Sequence, residues 1–162
     1  MRSTEQLRIF PTALPALARL AQSEYAIVIV TNQSAIGRGL VSAETVAQIN
    51  QHLLQRIHAP GGRIDGLYLC PHAPNDACEC RKPRPGLLLQ AASELRLDLA
   101  HSWLIGDSLT DLQAAIGVGV RPILVATGRG QEASLQLAST GMVHIPFLPD
   151  LPAAIEHVLA SS

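Results

Sequence analysis

Lysine is almost missing from this sequence: Lys82 stands alone against eleven arginines. Wherever any cation would serve, the chain uses arginine, an imbalance that, with abundant alanine, reads as coding bias. The single lysine therefore marks a place where the two side chains are not interchangeable. Aromatic residues are scarce at 3%, which leaves few platforms for stacking nucleic-acid bases. Neither sign of charge dominates: the formal net charge is −1 and no block of like charge occurs, so neither a nucleic-acid partner nor a charged interaction tail is expected. Long apolar runs are also lacking. The longest purely aliphatic stretch, Ala26–Val30, is far short of the ~20 residues of a membrane span, and no membrane association is expected. The opening MRSTEQLRIF has no apolar core after a basic cap, so no signal peptide is expected. Three cysteines cannot pair completely, and their crowding argues against a secreted disulfide framework. The cytoplasm is the expected compartment.

What is present suits one globular domain. The 162 residues, 48% hydrophobic, can bury a substantial core, and a single domain spanning 1–162 is expected, with no linker or internal repeat. Strand-like and helix-like segments alternate. Residues 14–22 read as a short helix. Tyr25–Val30 is a continuous apolar run of the kind found in a parallel strand buried on both faces. Ser42 caps a helix to about Ile57, with Val46, Ile49, Leu53, Leu54 and Ile57 at helical spacing. Further strands are expected at 64–69, 102–105, 122–126 and 142–145, and further helices after Pro85, over 109–116, around 132–139 and over 151–159. This alternation predicts an α/β fold, a Rossmann-like parallel sheet with flanking helices, with ligands bound at the carboxyl ends of strands.

All three cysteines lie in CPHAPNDACECRKP, residues 70–83. Cys70, His72, Cys78 and Cys80 supply three thiolates and an imidazole, a complete tetrahedral set for structural zinc. The alternatives are free thiols beside a chance histidine, or a transient redox pair of Cys78 and Cys80. Arg81 and Lys82 follow at once, and a clamped loop would present both cations rigidly. Arginine offers a planar fork to phosphate, whereas lysine offers a point charge; a solvated basic pair is the alternative.

Two further stretches sit at expected strand ends. VTNQSAIGRG, residues 30–39, brings Thr31, Asn32, Gln33 and Ser34 to a turn whose successive N–H groups can cradle an oxyanion. It also reads simply as a polar loop. LIGDSLTD, residues 104–111, places Asp107 four residues before Asp111, so that both carboxylates approach one face of a helix. Hard oxygen ligands of this kind suit magnesium, but helix capping is an equally good reading.

Taken in order, the Thr-Asn-Gln-Ser strand end, the Cys-Pro-His…Cys-x-Cys-Arg-Lys-Pro-x-Pro-Gly segment and Gly-Asp-x-x-x-Asp resemble the haloacid dehalogenase superfamily. The match is to its zinc-containing D-glycero-D-manno-heptose 1,7-bisphosphate phosphatases and covers nearly the whole chain, from about Phe10. The resemblance implies a magnesium-dependent phosphomonoesterase acting through an aspartyl-phosphate on a small sugar phosphate, as a monomer, in bacterial cell-envelope heptose synthesis. It implies that Thr31 and Lys82 stabilise the phosphoryl group. Asn32, Gln33, Ser34, Arg81 and Ser108 would line the substrate, with Ser108 and Asp111 beside the metal. Asp107 would hold Mg2+, and Cys70, His72, Cys78 and Cys80 would hold Zn2+.

One element of the resemblance is missing. The family opens with a central strand ending in Asp-x-Asp, which supplies the nucleophile and the general acid–base and lies between the strands ending at Thr31 and Asp107. The six aspartates here, at 65, 76, 98, 107, 111 and 150, form no such pair. The expectation is therefore a chain truncated at its N-terminus relative to the family, with Met1 not the natural start, and catalytically inactive as it stands. The alternatives are a relative of the histidinol-phosphate phosphatases, which share the zinc loop, and a non-catalytic, zinc-stabilised phosphosugar-binding module.

Overall fold

The computed structural model describes residues 3–161; Met1, on which the expectation about the start rests, lies outside them. The fold is α/β, with parallel sheets and flanking helices. Where a single sheet is expected, the strands among the described residues form two, of two and three strands. The backbone likewise gathers into two compact units, one ending at Arg81 and the other beginning at Lys82. No helix among the described residues is long and apolar enough to cross a membrane.

The first unit contains β1 (Val28–Asn32), β2 (Gly66–Cys70), α1 (Ala13–Leu20), α2 (Ser34–Gly37) and α3 (Ala43–His58). β1 and β2 run parallel, with Thr31 opposite Leu69 and Asn32 opposite Cys70. Ser42 caps α3 as expected, its hydroxyl accepting from the Thr45 N–H at 3.0 Å. Val46, Ile49 and Ile57 are buried, one stripe at helical spacing.

β1 departs from its expected place and burial. It begins three residues late, and all five of its residues are half-buried. The reason lies in its surroundings. The Arg63 guanidinium donates to the carbonyls of Ala21 at 3.1 Å and Tyr25 at 2.6 Å, and the Asp65 carboxylate accepts from the Ile27 N–H at 2.8 Å. Side chains thus hold the stretch before Val28, and the strand ladder starts beyond it. Among the described residues β1 also has one strand neighbour, β2, rather than the two of an interior strand.

The second unit contains β3 (Trp103–Gly106), β4 (Arg121–Val125) and β5 (Phe147–Leu148), parallel and in that order, with α4 (Gly86–Leu95), α5 (Leu109–Ile116), α6 (Gly130–Ser134) and α7 (Leu151–Ala160). Leu112, Leu124, Ala133, Leu137, Met142 and Ile145 form its buried cluster. The expected strand at 142–145 is instead a turn: the Met142 N–H reaches the Leu137 carbonyl at 2.9 Å, and the Ile145 N–H reaches that of Met142 at 3.1 Å. Both side chains are apolar because they are buried, and a short apolar run cannot by itself distinguish a core turn from a strand. The expected helix over 132–139 is shorter and earlier, at α6.

Candidate functional site

In the first unit, β2 delivers Cys70 to its carboxyl end, fully buried, and the chain then folds back so that Cys78 and Cys80 return to it. One ligand atom from each of Cys70, His72, Cys78 and Cys80 lies within 4.8 Å of all the others. The Cys70 sulfur is 3.7 Å from that of Cys78 and 3.6 Å from His72 Nδ1, which is 3.2 Å from the Cys80 sulfur. The sequence-predicted ligands are thus brought together, in an arrangement that can hold a metal ion. The two later thiols ionise differently. Burial raises Cys78, but hydrogen bonds from the Arg81 N–H and from Cys80 and Cys70 outweigh it and hold Cys78 below the ordinary thiol range. Burial together with Cys70 and Cys78 pushes Cys80 up to about 12.

The Thr31–Ser34 turn leaves the neighbouring strand at the same level. Thr31 and Asn32 close β1, and Gln33 and Ser34 lead into the single-turn α2; all four are half-buried. The Gln33 N–H donates to the Cys70 carbonyl at 2.8 Å and the Gly37 N–H to that of Pro71 at 2.8 Å. Arg81, half-buried, sends its guanidinium to the His72 carbonyl at 3.5 Å.

In the second unit, Lys82 Nζ lies 2.6 Å from Asp111 Oδ1, with the two side chains 12% and 8% exposed. The other oxygen of Asp111 accepts from the Ser108 hydroxyl at 2.7 Å, and Ser108, not Asp107, is the N-cap of α5. Asp111 is therefore committed on both oxygens, and its nearest cation is a lysine. Gly106 explains the glycine of the Gly-Asp stretch, since a Cβ there would overlap the Asp111 side chain. Asp107, at the end of β3, accepts from the Arg129 N–H at 3.1 Å. The loop bringing that amide turns at Gly128, φ +63°, where a Cβ would meet the Asp107 carboxylate. In the sequence this loop is marked by its glycines alone, in Thr127-Gly128-Arg129-Gly130.

Comparison with known proteins fits these parts. A family model described as HAD-hydrolase-like matches residues 79–153, and one described as polynucleotide kinase 3 phosphatase matches residues 3–115. The D-glycero-beta-D-manno-heptose-1,7-bisphosphate 7-phosphatase of Bordetella bronchiseptica is 40% identical over 136 residues, covering 84% of this chain and 76% of the relative. That of Pseudomonas aeruginosa is 39% identical over 120 residues, covering 74% and 67%. The crystal structure of the D,D-heptose 1,7-bisphosphate phosphatase from B. bronchiseptica, complexed with magnesium and phosphate, matches with a TM-score of 0.91 at 38% identity, covering 99% of this chain and 89% of that one.

Proposed function

The chain belongs to the haloacid dehalogenase-like phosphatases, in the family of the D-glycero-beta-D-manno-heptose-1,7-bisphosphate 7-phosphatases, and from that premise we propose that it recognises the phosphate ester of a heptose bisphosphate. The observation that carries this reading is Lys82. The one lysine of the chain is drawn out of solvent and fixed on a carboxylate that Ser108 in turn holds. A compact ammonium so placed can meet a phosphoryl oxygen as a point charge. Thr31 and Ser34 offer their hydroxyls to phosphate oxygens, and Arg81 offers a fork to the sugar phosphate.

The cysteine and histidine set fits zinc. Sulfurs about 2.3 Å and a nitrogen about 2.0 Å from a tetrahedral centre lie about 3.8 Å (S to S) and about 3.6 Å (S to N) apart, against 3.7 Å and 3.6 Å around Cys70 and a closer 3.2 Å between His72 and Cys80. Four protein ligands close the coordination sphere, so this ion would be structural. For magnesium, Asp107 is the carboxylate with ligand capacity to spare. Its amide partner Arg129 orients it as outer hydrogen bonds orient metal ligands, while Asp111 serves Lys82 instead. When bound, magnesium supplies charge neutralisation at the transferring phosphoryl group. The related structure holding magnesium and phosphate supports this part of the reading.

What these 162 residues do not offer is an Asp-x-Asp pair, so the reading here is phosphate recognition without its attacking carboxylate. The chain is expected to bind D-glycero-β-D-manno-heptose 1,7-bisphosphate saturably in calorimetry, in preference to histidinol phosphate, and to release no phosphate with magnesium above an Asp107→Ala control. Absence of binding would overturn phosphosugar recognition. Magnesium-dependent release at an enzymatic rate would show that another residue attacks.

A further inference from the structure

The strip Cys70–Pro71–His72 has two sides. Its cysteine and histidine side chains enter the ligand cluster, while its three carbonyls accept hydrogen bonds from elsewhere in the first unit. The Cys70 carbonyl takes the Gln33 N–H and the Pro71 carbonyl takes the Gly37 N–H, both at 2.8 Å, and the His72 carbonyl takes the Arg81 guanidinium at 3.5 Å. The two amides are the beginning and the end of the segment that carries Ser34. Candidate metal ligands thus come from Cys70 and His72, and the carbonyls that hold the turn from Cys70 and Pro71, within one strip of three residues.

Gly37 is where the two are pressed together. A Cβ at this position would lie 2.5 Å from the Ala73 nitrogen, 2.8 Å from the Pro71 oxygen and 2.9 Å from the His72 carbonyl carbon. All three are backbone atoms, which cannot rotate aside. The glycine is required by close approach rather than by a left-handed backbone, since Gly37 sits in a right-handed helical turn. Any larger residue must separate α2 from the metal loop by several tenths of an ångström, at the expense of the Gly37–Pro71 hydrogen bond.

We propose that Gly37 is a positioning residue that couples the metal centre to the Thr31–Ser34 turn, so that metal binding and oxyanion binding strengthen one another. The proposal rests on the reading above, in which the turn takes phosphate and the cysteine and histidine set takes metal. With metal bound, the carbonyls of Cys70 and Pro71 are held in one arrangement, and through the Gln33 and Gly37 amides so is the turn that carries the Thr31 and Ser34 hydroxyls. With metal lost, the strip relaxes and the turn relaxes with it. By linkage, the factor by which metal raises phosphate affinity equals the factor by which phosphate raises metal affinity.

The first test needs no phosphate. Backbone amide exchange of the whole chain is followed before and after chelation, with metal content measured in each sample. The Gln33 and Gly37 amides are expected to lose protection on chelation, while amides of α7, such as Ala154, keep theirs. Unchanged exchange at Gln33 and Gly37 with the metal removed would overturn the coupling. In the second test, Gly37→Ala is titrated with cobalt(II). The thiolate-to-cobalt absorption bands are expected to shift and the affinity to fall about tenfold or more; wild-type bands and affinity would overturn the proposal. If Gly37→Ala does not fold, the exchange experiment on the wild-type chain decides. In the third, inorganic phosphate is titrated into metal-loaded and chelated wild-type protein, with weaker binding expected after chelation. Amides that respond to chelation in a chain that binds no phosphate would keep the coupling and overturn the assignment of the turn. A wild-type chain that takes up no cobalt would overturn the metal reading and the coupling together.

Discussion

Cys80→Ser is expected to bind metal roughly a hundred- to a thousandfold more weakly than the wild-type chain. Structural zinc in a small domain contributes about 10–16 kcal/mol near neutral pH. Loss of one ligand in four removes about 3–4 kcal/mol, or two to three decades of affinity. A serine oxygen does not substitute, because it would have to ionise far from its own range. The measurement is metal content after dialysis against a competing chelator; one equivalent retained by Cys80→Ser would exclude Cys80 as a ligand. The wild-type site carries its own pH dependence. Without metal, Cys80 keeps its proton up to about 12, whereas Cys78 lies below the ordinary thiol range. A cation that binds the Cys80 thiolate must expel that proton at any ordinary pH. Affinity therefore rises as pH rises and falls as pH falls, by about tenfold per pH unit for each proton displaced. Calorimetry in buffers of different ionisation enthalpy counts those protons, and zero protons released near neutral pH would contradict the assignment.

The second large effect belongs to the pair Lys82 and Asp111. Lys82→Met leaves a carboxylate with its cation removed in a place where its side chain is 8% exposed. Breaking one side of a buried ion pair costs about 3–5 kcal/mol, mostly as the penalty of the charge left behind. Asp111→Leu alone should cost a similar amount. Lys82→Met together with Asp111→Leu should cost much less than the sum of the two single changes, because no charge remains unpaired. Chemical denaturation of the four proteins gives the coupling energy directly. Additive costs would mean that the 2.6 Å contact contributes nothing, and Lys82 would lose its claim to be held in place for a phosphate.

Both predictions concern groups that the sequence announced, but in different degrees. The clustering of Cys70, His72, Cys78 and Cys80 was readable in full. Its four ligands fall within eleven residues, 70–80, and a short loop can bring such ligands together with little closure entropy. The Ser42 cap was readable for the same reason, since its partner Thr45 is three residues away. The Gly-Asp-x-x-x-Asp stretch was only half readable. Its spacing places Asp107 and Asp111 at the start of one helix, but it does not say which carboxylate faces an open ligand position. Asp111 turned out to belong to Lys82, 29 residues earlier in the chain. The start of β1 is not legible in its own residues, because Arg63 and Asp65, about forty residues on, bind the backbone ahead of it. Met142 and Ile145 looked like a strand because burial alone makes a turn as apolar as a strand.

The amino-acid sequence by itself determined the alternation of strands and helices, the gathering of three cysteines and a histidine in one loop and the presence of one uniquely placed lysine, because periodicity, capping and short loops act over a few residues. Tertiary structure alone decided that Asp111 serves Lys82, that Gly106 is small to admit Asp111, and that Gly37 is small because residues 71–73 pass against it. Those facts depend on which backbone is brought within 3 Å of which side chain, a consequence of packing between segments distant in the chain that no local pattern of residues encodes.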